Sequence, residues 1–209
     1  MGRYIRAKCR LCRREGMKLF LKGSRCTSEK CSFSRRNYAP GDHGQIRQKF
    51  SNFGLQLREK QKVKRMYGIM ERQFRKYFYM ASRKKGVTGR TLLQLLERRL
   101  DNMIFRAGFA VSHNQARQIV RHNFVFVNDR RVNIPSFLVK QNDVITLHKT
   151  KPEHLKKIRE NLELTKDRMS PNWLEIDDNN LKARILRLPE KEDIQIPIQE
   201  QLIVELYSK

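Results

Sequence analysis

Apolar residues recur at helical spacing along much of the chain, and the residues between them mark where each helix starts and stops. Phe53 to Tyr67 reads as a helix with Ser51 as its N-cap and Gly68 as its stop. Glu71 to Arg83 reads as a second, with Phe74, Tyr77 and Phe78 as its core stripe. Lys84-Lys85-Gly86 ends it. Thr91 with Gln94 starts a third, whose core residues are Leu92, Leu93, Leu95 and Leu96. Leu100, Met103, Ile104 and Ala107 predict a fourth helix, closed by Gly108. Ser112 followed by Gln115 is a capping-box start for a fifth, striped by Ala116, Ile119 and Val120.

The pattern then shortens. Val125-Phe126-Val127, Asn128-Asp129 and Arg131-Val132 read as a hairpin, and Asp143 to Leu147 closes a small set of strands. Pro152 to about Thr165 returns to helix. Trp173, a packing residue, and Leu174 begin a short strand or loop. Ile185 to Leu188 and Leu202 to Tyr207 are apolar and β-prone, punctuated by Pro189 and Pro197. These elements predict an α+β protein.

Charge changes the picture. The net charge is +25, which points to a polyanionic partner. It is unevenly spread. Residues 1–100 carry 28 Lys and Arg against 6 acids, residues 101–150 carry 7 against 3, and residues 151–209 carry 11 against 12. The polyanion therefore mostly meets the first half, and the last quarter reads as scaffold or protein-facing surface. No apolar run approaches the roughly 20 residues of a membrane span, and the N-terminus has no signal-peptide apolar core. A soluble, cytoplasmic protein is expected, in a compartment where four cysteines stay out of disulfides.

Those cysteines are Cys9, Cys12, Cys26 and Cys31, spaced C-x2-C-x13-C-x4-C. Two close pairs joined by a loop suit a tetrahedral four-thiolate site of structural type. Zn²⁺ is the expected metal, and an iron–sulfur cluster is the lesser alternative. Surrounding Arg and Lys offset the thiolate charge. The segment is too small and too charged to fold unaided. The following stretch, Arg35 to Gln45, is a loop by its Pro and Gly content. It reads either as a plain linker or as a basic loop lying on RNA, with Tyr38 stacked on a base.

In the fourth and fifth helices and the hairpin, Arg106, Arg117, Arg121, Arg130 and Arg131 would form either a solvated face or a cationic surface for phosphates. No phosphate loop, H-E-x-x-H pair or Gly-x-Ser-x-Gly elbow is present. Asp101 sits beside Arg99, where an ion pair is the expected role rather than proton chemistry.

The stretch from Arg98 to Leu147 closely resembles the RNA-binding module named after the fourth protein of the small ribosomal subunit. The resemblance extends further, through Tyr38-x-Pro40-Gly41-x-His43-Gly44, Leu57 to Lys62, Tyr67-Gly68 and the four cysteines. Nearly the whole chain is similar to the bacterial ribosomal protein S-four family, in its four-cysteine form. Enzymes that share the module need a further catalytic domain of roughly 200 residues, for which there is no room, so no enzyme is expected.

The resemblance implies three parts: a metal-binding basic extension at 1–45, a helical domain at 46–97 completed by about 190–209, and the inserted RNA-binding module with its return segment at 98–189. It implies a primary binder of the 5′ domain of 16S ribosomal RNA at a multi-helix junction. Such a protein nucleates subunit assembly and contributes to translational accuracy. Implied partners are small-subunit proteins five and three, and messenger RNA, either where it enters the subunit or as the protein's own transcript. No membrane and no small-molecule substrate is implied. Carried over by position, the RNA surface comprises Arg3, Arg10, Arg13, Arg14, Arg35, Arg36, Tyr38, His43, Arg58, Lys62, Lys64 and Arg65, with Arg117, Arg121, Arg130 and Arg131 in the module. The chain departs from the family at the hairpin tip, where Asp129 stands in place of the common Gly and brings a negative charge near phosphates. A non-ribosomal RNA-binding stress or regulatory protein using the same module is the alternative.

Overall fold

The computed structural model describes residues 2–46, 49–148, 152–166, 168, 171–194 and 197–208. It is α+β, and it divides into two compact units. One comprises Met1–Leu92 with Ile196–Lys209, and the other Leu93–Gln195. Among the described residues no helix is long and apolar enough to cross a membrane.

The first unit begins with α1 (Cys9–Glu15), a 3-10 helix (Gly23–Cys26) and α2 (Ser32–Arg35). Its longer helices are α3 (Asn52–Met66), α4 (Glu71–Ser82) and, near the C-terminus, α9 (Glu200–Tyr207). Helix α3 starts where its cap requires: Ser51 Oγ accepts the Gly54 N–H at 3.2 Å. Helix α4 buries Phe74 and Tyr77, as its stripe predicts. Residues 202–207, read from their β-branched character as β-prone, are helical instead. Tertiary packing overrides the propensity: Tyr207 stacks on Phe78 at 4.4 Å and on Phe74 at 6.3 Å.

Helix α5 (Thr88–Glu97) carries the division between the units and starts three residues before Thr91, where its cap was expected. The second unit continues with α6 (Leu100–Arg106) and α7 (His113–Arg121). Ser112 Oγ accepts the Gln115 N–H at 3.4 Å, and Gln115 Oε1 reaches back to the Val111 N–H at 2.9 Å, a displaced form of the capping box. Gly108 ends α6 with φ +78°. An added Cβ there would stand 2.9 Å from Thr165 Oγ1, so both conformation and space require glycine.

Strands β1 (Val125–Val127), β2 (Arg130–Arg131), β3 (Val144–Leu147), β4 (Leu174–Asp177) and β5 (Lys182–Ile185) form an antiparallel sheet in the order β2-β1-β3-β5-β4. Helix α8 (Pro152–Thr165) lies between β3 and β4 in the chain. Val125, Val127, Ile145, Leu147, Ala183 and Ile185 turn one sheet face into a core shared with Leu100, Met103, Ile104, Ala116 and Val120 of α6 and α7. Trp173 is buried in that core.

Candidate nucleic-acid interface

The cysteines come from three short elements. Cys9 and Cys12 lie on α1, Cys26 ends the 3-10 helix, and Cys31 caps α2. Cys12, Cys26 and Cys31 are buried and Cys9 is half-buried. Burial pushes the Cys12 and Cys26 thiols up, and the other cysteines nearby add to this. Burial also pushes Cys31 up, but the Ser34 and Phe33 N–H groups and the Ser34 hydroxyl outweigh it and bring the thiol below its usual range. The Lys22 N–H points at Cys26 Sγ from 3.3 Å. Three buried thiols and a half-buried fourth, with N–H donors beside them, are a donor set whose chemistry fits a structural zinc ion or iron–sulfur cluster. As placed, however, no group of three His, Cys, Asp or Glu side chains among the described residues is arranged to hold a metal ion.

Arginines on α1 fasten the loop that follows. Arg13 donates to the Tyr38 carbonyl at 2.9 Å and the Ala39 carbonyl at 3.3 Å, and its guanidinium lies 4.9 Å from the Tyr38 ring centroid. Arg14 donates to the Pro40 carbonyl at 3.2 Å. The loop is tight at Gly44, where a Cβ would clash with the Ala39 carbonyl at 1.9 Å. Arg3, Arg10, Arg14, Arg35, Arg36 and His43 are exposed, and Tyr38 is half-buried. Arg35 donates to the Glu29 carbonyl at 3.1 Å.

The cations of α3 are occupied within the fold. Arg58 and Arg65 both pair with Glu15, whose side chain is only 2% exposed. Lys62 bonds Glu59 at 2.7 Å and the Pro197 carbonyl at 2.9 Å. Lys64 bonds Glu71 at 2.9 Å, beside Lys60 at 2.7 Å. Burial raises Glu71, but hydrogen bonds from Lys60 and Lys64, the Lys64 charge and the Tyr207 hydroxyl prevail and hold it at about 2. Glu15 goes the other way: burial outweighs its arginines and raises it. The basic face predicted for α3 is therefore half-buried and threaded with acids.

A basic stripe on α4 escaped the sequence reading, which took only that helix's apolar side. Arg72, Arg75, Lys76, Tyr79 and Arg83 are exposed along one face, with the Arg83 guanidinium 4.0 Å from the Tyr79 ring centroid. Their spacing of three and four residues was the available signal.

In the second unit Arg121, Arg130 and Arg131 are exposed. Arg117 is instead buried, with its Nη1 3.5 Å from Asp101 Oδ2. Asp101 accepts from Arg99 Nε at 2.9 Å and Nη2 at 2.6 Å, so it is the ion pair its position predicts. Arg106 is held by Glu97 at 2.6 and 3.0 Å. The His113 ring packs against Phe105 in a tilted arrangement, with centroids 3.9 Å apart. Although the residue keeps some exposed surface, its ring is enclosed. Burial, reinforced by Arg106, pushes its pKa down to about 3. At the hairpin tip Asn128 and Asp129 have φ of 48° and 63°, the conformation of a two-residue I′ turn.

These features define a class: an α+β protein that offers cationic surface from two units, one helical and one built on a small antiparallel sheet. Residues 3–97 match the family described as Ribosomal protein S4/S9 N-terminal domain, and residues 98–145 match the S4 domain. A protein of Thermodesulfovibrio yellowstonii named small ribosomal subunit protein uS4 is 57% identical over 209 residues, covering all of both chains. Its namesakes in Syntrophus aciditrophicus and Acetivibrio thermocellus are 58% and 57% identical, again over the full length of both chains. The chain belongs to the ribosomal protein uS4 family. That is a family of structural RNA-binding proteins, not of enzymes.

Proposed function

We propose that this chain is a structural protein of the cytoplasmic small ribosomal subunit, and a primary binder of the 5′ domain of 16S ribosomal RNA at a multi-helix junction. Its binding nucleates subunit assembly and contributes to translational accuracy. The observation that carries this is that each unit exposes cations of its own: Arg3, Arg10 and Arg36 on the first, and Arg121, Arg130 and Arg131 on the second. A cationic surface preformed within each unit reads the shape of folded RNA rather than a sequence of bases. Arg58, Lys62, Lys64 and Arg65 act less as free phosphate ligands than as struts with their RNA-facing edges kept in place by Glu15, Glu59 and Glu71. Small-subunit proteins five and three are the protein partners, and messenger RNA is a further one, at its point of entrance or as the protein's own transcript.

Cys9, Cys12, Cys26 and Cys31 are the ligands of a structural zinc ion. The ion cross-links α1, the 3-10 helix and the start of α2, a segment with few apolar residues to hold it.

Binding to a 5′-domain RNA fragment and to a fragment of similar length from another domain, at rising salt, tests the reading. Phosphate contacts predict a steep loss of affinity with salt for both. Preference for the 5′-domain fragment should survive that loss. Equal affinity at every salt concentration would overturn the proposal.

A further inference from the structure

One row of side chains crosses all five strands on the sheet face turned away from the core. Arg131, Phe126, Thr146, Lys182 and Asp177 stand opposite one another in successive strands. The residues flanking them in sequence, Val125, Val127, Ile145, Leu147 and Ala183, are buried in the core with α6 and α7. Helices therefore cover the other face. The open face is not simply polar. Phe126 is half-exposed at its centre, and His148 stacks on it with centroids 5.1 Å apart and planes 29° from parallel. The pair floors an open cleft of about 570 Å³, lined also by Thr146, Asn180 and Lys182.

From this geometry we infer that the open sheet face is a stacking platform for an unpaired stretch of RNA. This rests on the RNA-binding reading above and adds a contact separate from the helical surface of α7. Bases stack on Phe126 and His148, since any base offers a π-face to an aromatic ring. Exposed Arg131 and Lys182, on either side of Phe126, supply the charge for phosphates. Of the acids nearby, Asp177 is occupied by Asn180, which donates from its backbone N–H at 3.0 Å and its side chain at 2.7 Å. Asp129 stands at one rim of the cleft and repels phosphate there, so phosphates are held by Arg131 and Lys182 and not at that rim. One aromatic pair between cations is too small an apolar patch for a stable protein interface, which favours RNA as the occupant.

The test uses the full-length protein with a short single-stranded RNA carrying 4-thiouridine. After irradiation, crosslinked peptides are located by mass spectrometry. Crosslinks at Phe126 or His148 are expected. Phe126→Leu keeps apolar volume but removes the ring, and should lower that crosslink yield by about tenfold. Lys182→Gln should lower it too and reduce the salt slope of binding by about 0.7. Binding of the 5′-domain fragment should be unchanged in both variants. Crosslinks confined to the first unit or to α7, or an unaltered yield in both variants, would overturn the platform and leave the ribosomal reading standing. So would protection of this face by a bound protein after the RNA is digested away. Failure of the unsubstituted protein to prefer the 5′-domain fragment is a separate result, and it would sink the ribosomal reading instead. Lys182, being exposed, keeps the test valid should Phe126→Leu not fold.

Discussion

Asn128 and Asp129 both hold positive φ, and Asn128 has a second task. Its Nδ2 donates to Asp143 Oδ1 at 2.8 Å, and its Oδ1 accepts the Val144 N–H at 2.9 Å. Asp143 Oδ2 in turn accepts the Lys140 N–H at 2.7 Å. The side chain thus clips the hairpin to the start of β3. Asn128→Gly should keep the turn and lose the clip, at about 1 kcal/mol. Asn128→Ala should cost more, about 2–3 kcal/mol, because alanine also strains at φ 48°. Equal losses in denaturant unfolding would contradict that division. Asp129 carries strain without a comparable clip, so Asp129→Gly should stabilise the protein by up to about 1 kcal/mol and tighten RNA binding by removing a negative charge. Glu15 is the other residue on which neighbours depend. Glu15→Ala would leave Arg58 and Arg65 without their shared carboxylate, and about 1–2 kcal/mol of stability should be lost.

At the scale of elements, acid should act on two junctions. Glu71, where α3, α4 and Tyr207 of α9 meet, has a folded pKa of about 2 against an ordinary 4.5. Its contribution is fully present above about pH 4.5 and is lost as pH falls toward 2. His113, the first residue of α7 and packed on Phe105 of α6, resists protonation until about pH 3, whereas the unfolded chain takes up the proton near 6.5. The unfolded state binds more protons between those values, so stability falls as pH drops from about 6.5 to 3, by at most about 1.4 kcal/mol per pH unit. Unfolding midpoints measured across that range should flatten in His113→Gln. An unchanged slope would place the titration elsewhere.

The helices of this scale were legible because their caps are local: Ser51, Gly108 and Ser112 all act within a few residues. Helix α9 was not, because Ile203 and Val204 favour strand until Phe74 and Phe78 are brought beside Tyr207. The cationic site was half legible. The identity of its arginines and lysines is plain in the chain, but the partners of Arg58 and Arg65 lie 43 and 50 residues away. Which cations face outward is decided by those distant acids. Arg117 shows the same effect, since Asp101 draws it into the interior.

At the scale of the whole molecule, apolar burial is unevenly divided along the chain. The second unit has an apolar core spanning α6, α7, α8 and the sheet. The cysteine segment has only Leu11, Leu19 and Leu21 as buried aliphatic residues beside its thiols, so the proposed zinc ion would supply cohesion that apolar packing there does not. Chelation, or Cys9→Ser with Cys12→Ser, should open roughly the first 40 residues to limited proteolysis. The second unit should stay protected. Equal resistance of that first segment with and without metal would remove zinc from the proposal.

Recovery of the RNA bound in cells, after a high-salt wash and with sequencing of what remains, tests the central claim most directly. The expected result is enrichment of one junction in the 5′ domain of small-subunit ribosomal RNA. A diffuse RNA population that salt washes away would mean that the +25 charge acts without selectivity, and it would contradict recognition of a folded ribosomal site.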